Sequence, residues 1–178
     1  SSWPIIQQAL PRVCCCLCQP HVLNLLLKDI RSVPGIHELF ELLSKLRIFI
    51  RNHQKVKAIY ESFAVPPKFS KLTQIAGTRF ESEVIGLRNI LRNRDPVRLL
   101  LFSGELAEWL ADGSNGSTKN DQGVSNTVLL DRLKNEFLSA DDTIWKRIIA
   151  VSHIMLPIEA LLCFTEQDKP TMSKLHMA

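Results

Sequence analysis

The first twenty-eight residues of this chain contain no acidic side chain, and the first to appear is Asp29. Two-metal nuclease chemistry needs several converging carboxylates, so the N-terminal part has no means of building such a site by itself. Asp29, next to Lys28, reads as a solvated residue. Other absences are as informative. There is no glycine-rich phosphate loop, no nucleophile elbow and no dinucleotide fingerprint, which leaves hydrolase and nucleotide-binding readings without an anchor. No apolar run reads as long enough to span a bilayer, no signal peptide is evident, and no membrane partner is expected. The five cysteines are an odd number, and four fall within Cys14 to Cys18. Neighbours this close do not bridge each other readily, so a disulfide framework is excluded and a reducing intracellular setting is expected. The chain opens on Ser1, which fits a piece of something longer.

What is present is apolar surface and unevenly placed charge. With 178 residues and 46% apolar content, the chain can bury one core. The net charge of +4 divides into +8 over residues 1–98 and −4 over residues 99–178. A basic half joined to an acidic half suits an anionic partner on one side, nucleic acid being the commonest.

The stretch from Val13 to Ile30 reads as a short buried strand, a Cys18-x-x-His21 corner closed by Pro20, and a helix whose apolar face is Val22, Leu25, Leu26 and Ile30. A short helix over Ser1–Leu10 precedes it, ended by Pro11. Ser32-Val33-Pro34-Gly35 is a break. Next, Leu39, Leu42, Leu43, Leu46, Phe49, Ile50, His53, Val56, Tyr60 and Phe63 recur at helical spacing without Gly or Pro, which predicts one long amphipathic helix from about Ile36 to Phe63. Its other face carries Lys45, Arg47, Arg51, Lys55 and Lys57, and Pro66-Pro67 stops it. Thr78 and Glu81 have the spacing of a capping box, ahead of a helix burying Val84, Leu87, Ile90 and Leu91 and exposing Arg88 and Arg92. Pro96 starts another through Leu99, Leu100, Leu106 and Leu110. Residues 112–126 have the composition of a mobile loop. Helices over Val128–Leu138 and Asp142–Phe164 follow, the second kinked or split at Pro157.

Cys18-x-x-His21 has ligand spacing for zinc, but a structural zinc site needs four ligands and His37, His53, His153 and His176 supply no second Cys/His pair. A packed thiol and a hydrogen-bonded imidazole is the competing reading, and no metal is expected here. Catalytic use of these thiols is disfavoured because an apolar strand opposes the thiolate. Among the basic residues, Lys45, Arg51 and Lys55 could neutralise phosphates, as could Arg88, Arg92, Arg94 and Arg98; the bland reading is a solvated helix face. Arg79-Phe80 pairs a guanidinium with a ring, which suits phosphate contact and base stacking. Alternatively, Phe80 is simply core.

The run from Cys18 to Ile30 resembles the Cys-x-x-His-x-Leu-Asn-Leu segment of hAT-superfamily transposases, in the branch carrying a domain of unknown function 659 region. Gly77-Thr78-Arg79-Phe80-Glu81-Ser82 is similar to that family's Thr-Arg-Trp/Phe-x-Ser motif. Trp145-Lys146-Arg147 through Pro157-Ile158, with Asp168-Lys169-Pro170-Thr171, resembles its segment from a Trp to Asp-x-Asp-Lys-Pro-Thr. The three matches fall in family order.

The resemblance implies a mostly α fold with an α+β remnant: one or few strands of a ribonuclease H-like core, followed by an all-helical insertion. Residues 1–35 would be the partial core, 36–111 a helical region with basic faces, 112–126 a flexible loop and 127–178 the start of the insertion. It implies DNA (transposon ends) as partner, a nuclear setting, and a parent that cleaves and transfers strands with a divalent metal such as Mg. The family's three metal-binding acids map to no residue here, so the chain alone is expected to be inactive and to hold no cofactor. Cys18 and His21 would lie beside the active site, and Arg79 and Phe80 near a flipped base or hairpin. Many members have Trp where this chain has Phe80. Oligomerisation would run through regions absent here. The alternative is a helical protein-interaction module with no nucleic-acid role.

Overall fold

A computed structural model describes residues 19–65, Phe69, Leu72, 80–117 and 123–165. These are helical nearly throughout, with no strand beyond a single-residue bridge at Ser125. The order is α1 (Gln19–Ser32), α2 (Pro34–Asn52), α3 (Gln54–Phe63), α4 (Phe80–Arg92), α5 (Arg94–Phe102), α6 (Gly104–Ala111), α7 (Gly113–Ser117), α8 (Asn126–Phe137) and α9 (Thr143–Thr165). The expected mostly α fold is present. The expected strand, Cys18, the capping-box Thr78 and the Asp168–Thr171 segment lie outside the described residues.

The helix α9 is the spine. One side of it, through Ile144, Trp145, Ile148, Val151, Ser152, Met155, Glu159 and Leu162, is buried against α1, α4, α2 and α8. From Ile148 to Thr165 its only charged residue is Glu159, so α9 is long and apolar enough to cross a membrane by length and composition. That corrects the expectation of no such run; the same composition serves a core helix, and a third of this apolar stretch is buried. Pro157 does not split it, and its ring stands on the exposed side.

Helix α1 forms where its spacing predicts, but it begins at Gln19, so Pro20 and His21 lie in its first turn and do not form a corner. Pro is tolerated there because first-turn N–H groups have no intrahelical acceptor. The inward face also differs from the expected one. Leu27 is buried, with Leu23 and Ile30 packed beside it, whereas Val22, Leu25 and Leu26 are exposed. A helix with leucines on most of its circumference has two admissible apolar stripes, and packing on α9 and α4 selects one.

The long helix expected from Ile36 to Phe63 buries its predicted residues, except His53 and Phe63, which are half-buried, but it is two helices, α2 and α3, joined at His53 in an extended conformation. Helix α2 begins at Pro34, which suits a first-turn position. In an unbroken helix, the Phe49 carbonyl would accept from the backbone N–H of residue 53. Here the His53 ring Nδ1 occupies that carbonyl at 2.8 Å, so the break costs no unpaired acceptor. At Asn93, between α4 and α5, the backbone N–H keeps its bond to the Asn89 carbonyl at 3.1 Å, and the side-chain Nδ2 adds a second to the same oxygen at 2.7 Å. Ser103 makes a third one-residue joint, its hydroxyl accepting from the Leu106 N–H and capping α6. Pro96 therefore falls in the first turn of a helix started by Arg94.

The supposed loop over 112–126 is in part ordered. Gly113–Ser117 makes a helical turn, held where Asn115 Nδ2 donates to the Trp109 carbonyl at 3.1 Å and Thr127 Oγ1 donates to the Gly116 carbonyl at 3.1 Å. A Cβ at Gly116 would stand 2.7 Å from the Leu110 carbonyl oxygen, so only glycine permits this approach.

Candidate nucleic-acid interface

A surface that binds polyanions needs cations whose charge is not already met by the protein. The nine helix-face cations named from the sequence separate on this criterion. Arg88, Arg94 and Arg98 have acidic partners on or beside α9. Arg88 reaches Glu159 at 3.0 Å, and that carboxylate is only 8% exposed. Arg94 and Arg98 both grip Asp142, at 2.6 and 2.8 Å, and Arg94 also lies over the Trp145 ring, 5.5 Å from its centroid. Asp142 sits at φ +55°, a left-handed conformation that Asp tolerates better than most residues; this aims its carboxylate between the two guanidinium groups. These arginines therefore tie α4 to the later half of α9 and α5 to its start, and are not a free phosphate-binding row. Arg92 is exposed at the end of α4 and is engaged within the chain.

The cations of α2 and α3 differ. Lys45 is half-buried, while Arg51, Lys55 and Lys57 are exposed, and none of the four makes an ion pair among the described residues. Arg51 has only a 3.4 Å contact from its Nε to the Asn52 side-chain oxygen. Arg47 is engaged within the chain. At about 100° per residue, Lys45 and Arg51 stand roughly 120° apart around α2, and the joint at His53 carries Lys55 and Lys57 onto a second axis. The expected single basic face is thus an arrangement of cations over two helices flanking His53.

His53 itself, read from the sequence as one more residue of the apolar face, is the centre of the joint. Its ring lies 5.0 Å from Trp109 and 5.0 Å from Phe49 by centroids. Its Nε2 is 3.2 Å from the Asn126 side-chain Nδ2, which also donates to the Asn115 carbonyl at 2.9 Å. Asn126 is buried, although it falls in a stretch with loop composition. No sequence signal separates it from its polar neighbours.

Of the other expected site residues, His21 is exposed in the first turn of α1. Cys18 and Arg79 lie outside the described residues, and Phe80 is described only as the first residue of α4. Among the described residues, no group of three or more His, Cys, Asp or Glu could hold a metal. The segment Trp145–Arg147 has structural work: Trp145 donates to the Phe137 carbonyl at 3.1 Å, and Arg147 donates to the Gly35 carbonyl at 2.7 Å. No family model matches the chain, and no similar curated protein or solved structure was found.

Proposed function

We propose that this chain is an α-rich piece of a hAT-type transposase or a protein derived from one, with a remnant of a ribonuclease H-like core at its start, and that it contacts DNA through Arg51 and Lys55, assisted by Lys45, Lys57 and the Arg79-Phe80 pair. The observation that carries the reading is the family order of the three motif-like segments around Cys18–Ile30, Gly77–Ser82 and Trp145–Pro157. Four cations without acidic partners on α2 and α3 agree with it. The parent would cut and transfer DNA strands with a divalent metal in the nucleus; this chain, lacking the family's acids, binds without cutting.

The test is binding to short DNA hairpins and duplexes across a salt series. The expected result is affinity that falls steeply with salt, with the log–log slope reduced by about one for each of Arg51→Ala and Lys55→Ala. Phe80→Ala is expected to weaken hairpins more than duplexes. Absence of binding by folded protein at low salt would overturn the reading. The second reading, a helical protein-interaction module, is favoured by one observation: the outer side of α9 exposes Ile149, Ile154 and Leu161.

A further inference from the structure

We infer that His53 is a proton-sensitive joint between α2 and α3, closed only when its ring is neutral. Three contacts fix its chemistry in sequence. The Asn115 carbonyl, 2.9 Å from the Asn126 side chain, can only accept, so it holds the NH2 end of that amide in place. That NH2 group also faces His53 Nε2 at 3.2 Å, which makes Nε2 the acceptor. The proton of the neutral ring therefore resides on Nδ1, where it donates to the Phe49 carbonyl at 2.8 Å. A second proton on Nε2 would set two donors against each other with no acceptor between them. Turning the Asn126 amide over would not repair this, because its oxygen would then oppose the Asn115 carbonyl.

The surroundings contain no charged side chain that hydrogen-bonds the ring. Among the charged groups of the elements packed here, Arg51 on α2, Lys55 and Lys57 on α3, Glu105 and Glu108 on α6, Asp112 after it, and Asp131 and Arg132 on α8 are exposed, while Glu41, Lys45 and Arg47 on α2 and Lys134 and Glu136 on α8 are half-buried. Arg51 and Lys55 oppose a further positive charge, whereas Glu108 and Asp112 on either side of Trp109 favour it. The Trp109 ring also attracts a cation. Against these diffuse influences stands one directed loss, the Asn126 contact. Since Asn126 joins His53 to α7, protonation releases the α7–α8 corner from the α2–α3 joint and frees the angle between the two cation-bearing helices. This inference does not depend on the DNA reading.

The experiment is a pH titration of the full chain by NMR, following the ring nitrogens of His53 and the side-chain NH2 of Asn126. The Nδ1–H form is expected at high pH, and the Asn126 NH2 signals should shift with the same midpoint as the His53 ring. In thermal melts, Asn126→Asp should reverse the pH dependence, since a carboxylate accepts from a protonated ring. An Nε2–H form at high pH, or Asn126 signals that stay flat while His53 titrates, would overturn the inference; both are read on the wild-type chain and need no variant to fold.

Discussion

The basic residues of α4–α5 and those of α2–α3 look alike in the sequence, as positive charges spaced along amphipathic helices. They differ in what the rest of the chain brings to them. Arg88 meets Glu159 across 71 residues, and Arg94 and Arg98 meet Asp142 across 48 and 44. Among the described residues, no acid arrives at Arg51, Lys55 or Lys57. The acidic half of the sequence thus neutralises part of the basic half, and cations on α2 and α3 are among those left without an acidic partner among the described residues. Net charge by segment locates the surplus only after this internal pairing is known.

The comparison is most sharply tested at Trp145, which the arginine side uses as a platform. Its side chain is 1% exposed, packs edge-on against Phe137 with centroids 5.5 Å apart and donates to the Phe137 carbonyl. Trp145→Ala should lower stability by about 3–5 kcal/mol, read from urea unfolding. Next comes a direct contrast of the two sets of cations. Arg88→Ala strands the Glu159 carboxylate, whose remaining contact is the Cys163 thiol at 3.7 Å. Because Arg88 is itself 59% exposed, solvent screens the pair, and a loss of about 1–2 kcal/mol is expected. Glu159→Gln in the same background should recover part of it. Lys55→Ala should change stability by no more than about 0.5 kcal/mol. Equal effects for Arg88→Ala and Lys55→Ala would remove the distinction between paired and unpaired cations.

The smallest effect concerns acid. Asp141 is held at about 2, down from 3.8, first by the Ser139 hydroxyl, then by the Thr143 hydroxyl and backbone N–H, with Lys146 adding. A carboxylate with a depressed folded value contributes stability that is present above its unfolded value near 4 and lost as pH falls toward 2. Asp141→Asn should therefore lower stability at pH 7 and flatten the wild-type loss between pH 4 and pH 2. Thermal melts across that interval measure it.

The helical fold was legible because burial follows the helical period: Leu39, Leu42, Leu43, Leu46, Phe49, Ile50, Val56 and Tyr60 all face the core. The phenol of Tyr60 is pushed above its ordinary range by that burial, with Glu61 adding. The break at His53 was not legible, because the histidine keeps the apolar spacing while its side chain supplies the hydrogen bond that lets the backbone turn. The inward side of α1 was ambiguous for a different reason: Leu25, Leu26 and Leu27 are consecutive, and only the neighbours decide between them. Leu99 fits the α5 spacing yet is 51% exposed, since α5 ends at Phe102 and the register restarts at Ser103. The pairing of the arginines depended on acids far along the chain, which no local pattern carries.

The seam between α1 and α9 has a kinetic consequence. Gly35, at the start of α2 just after α1, is 112 residues from Arg147 and joins α2 to α9 beside that seam, whereas α2 with α3 and α6 with α7 pack against near neighbours. Closing a loop of that length costs more chain entropy than forming any of the local pairs. The local pairs are therefore expected to assemble first, and α1 and α2 to dock onto α9 last. Contacts made after the folding barrier govern how fast a protein comes apart more than how fast it forms. Substitutions at Leu27 and Arg147 are accordingly expected to speed unfolding more than they slow folding.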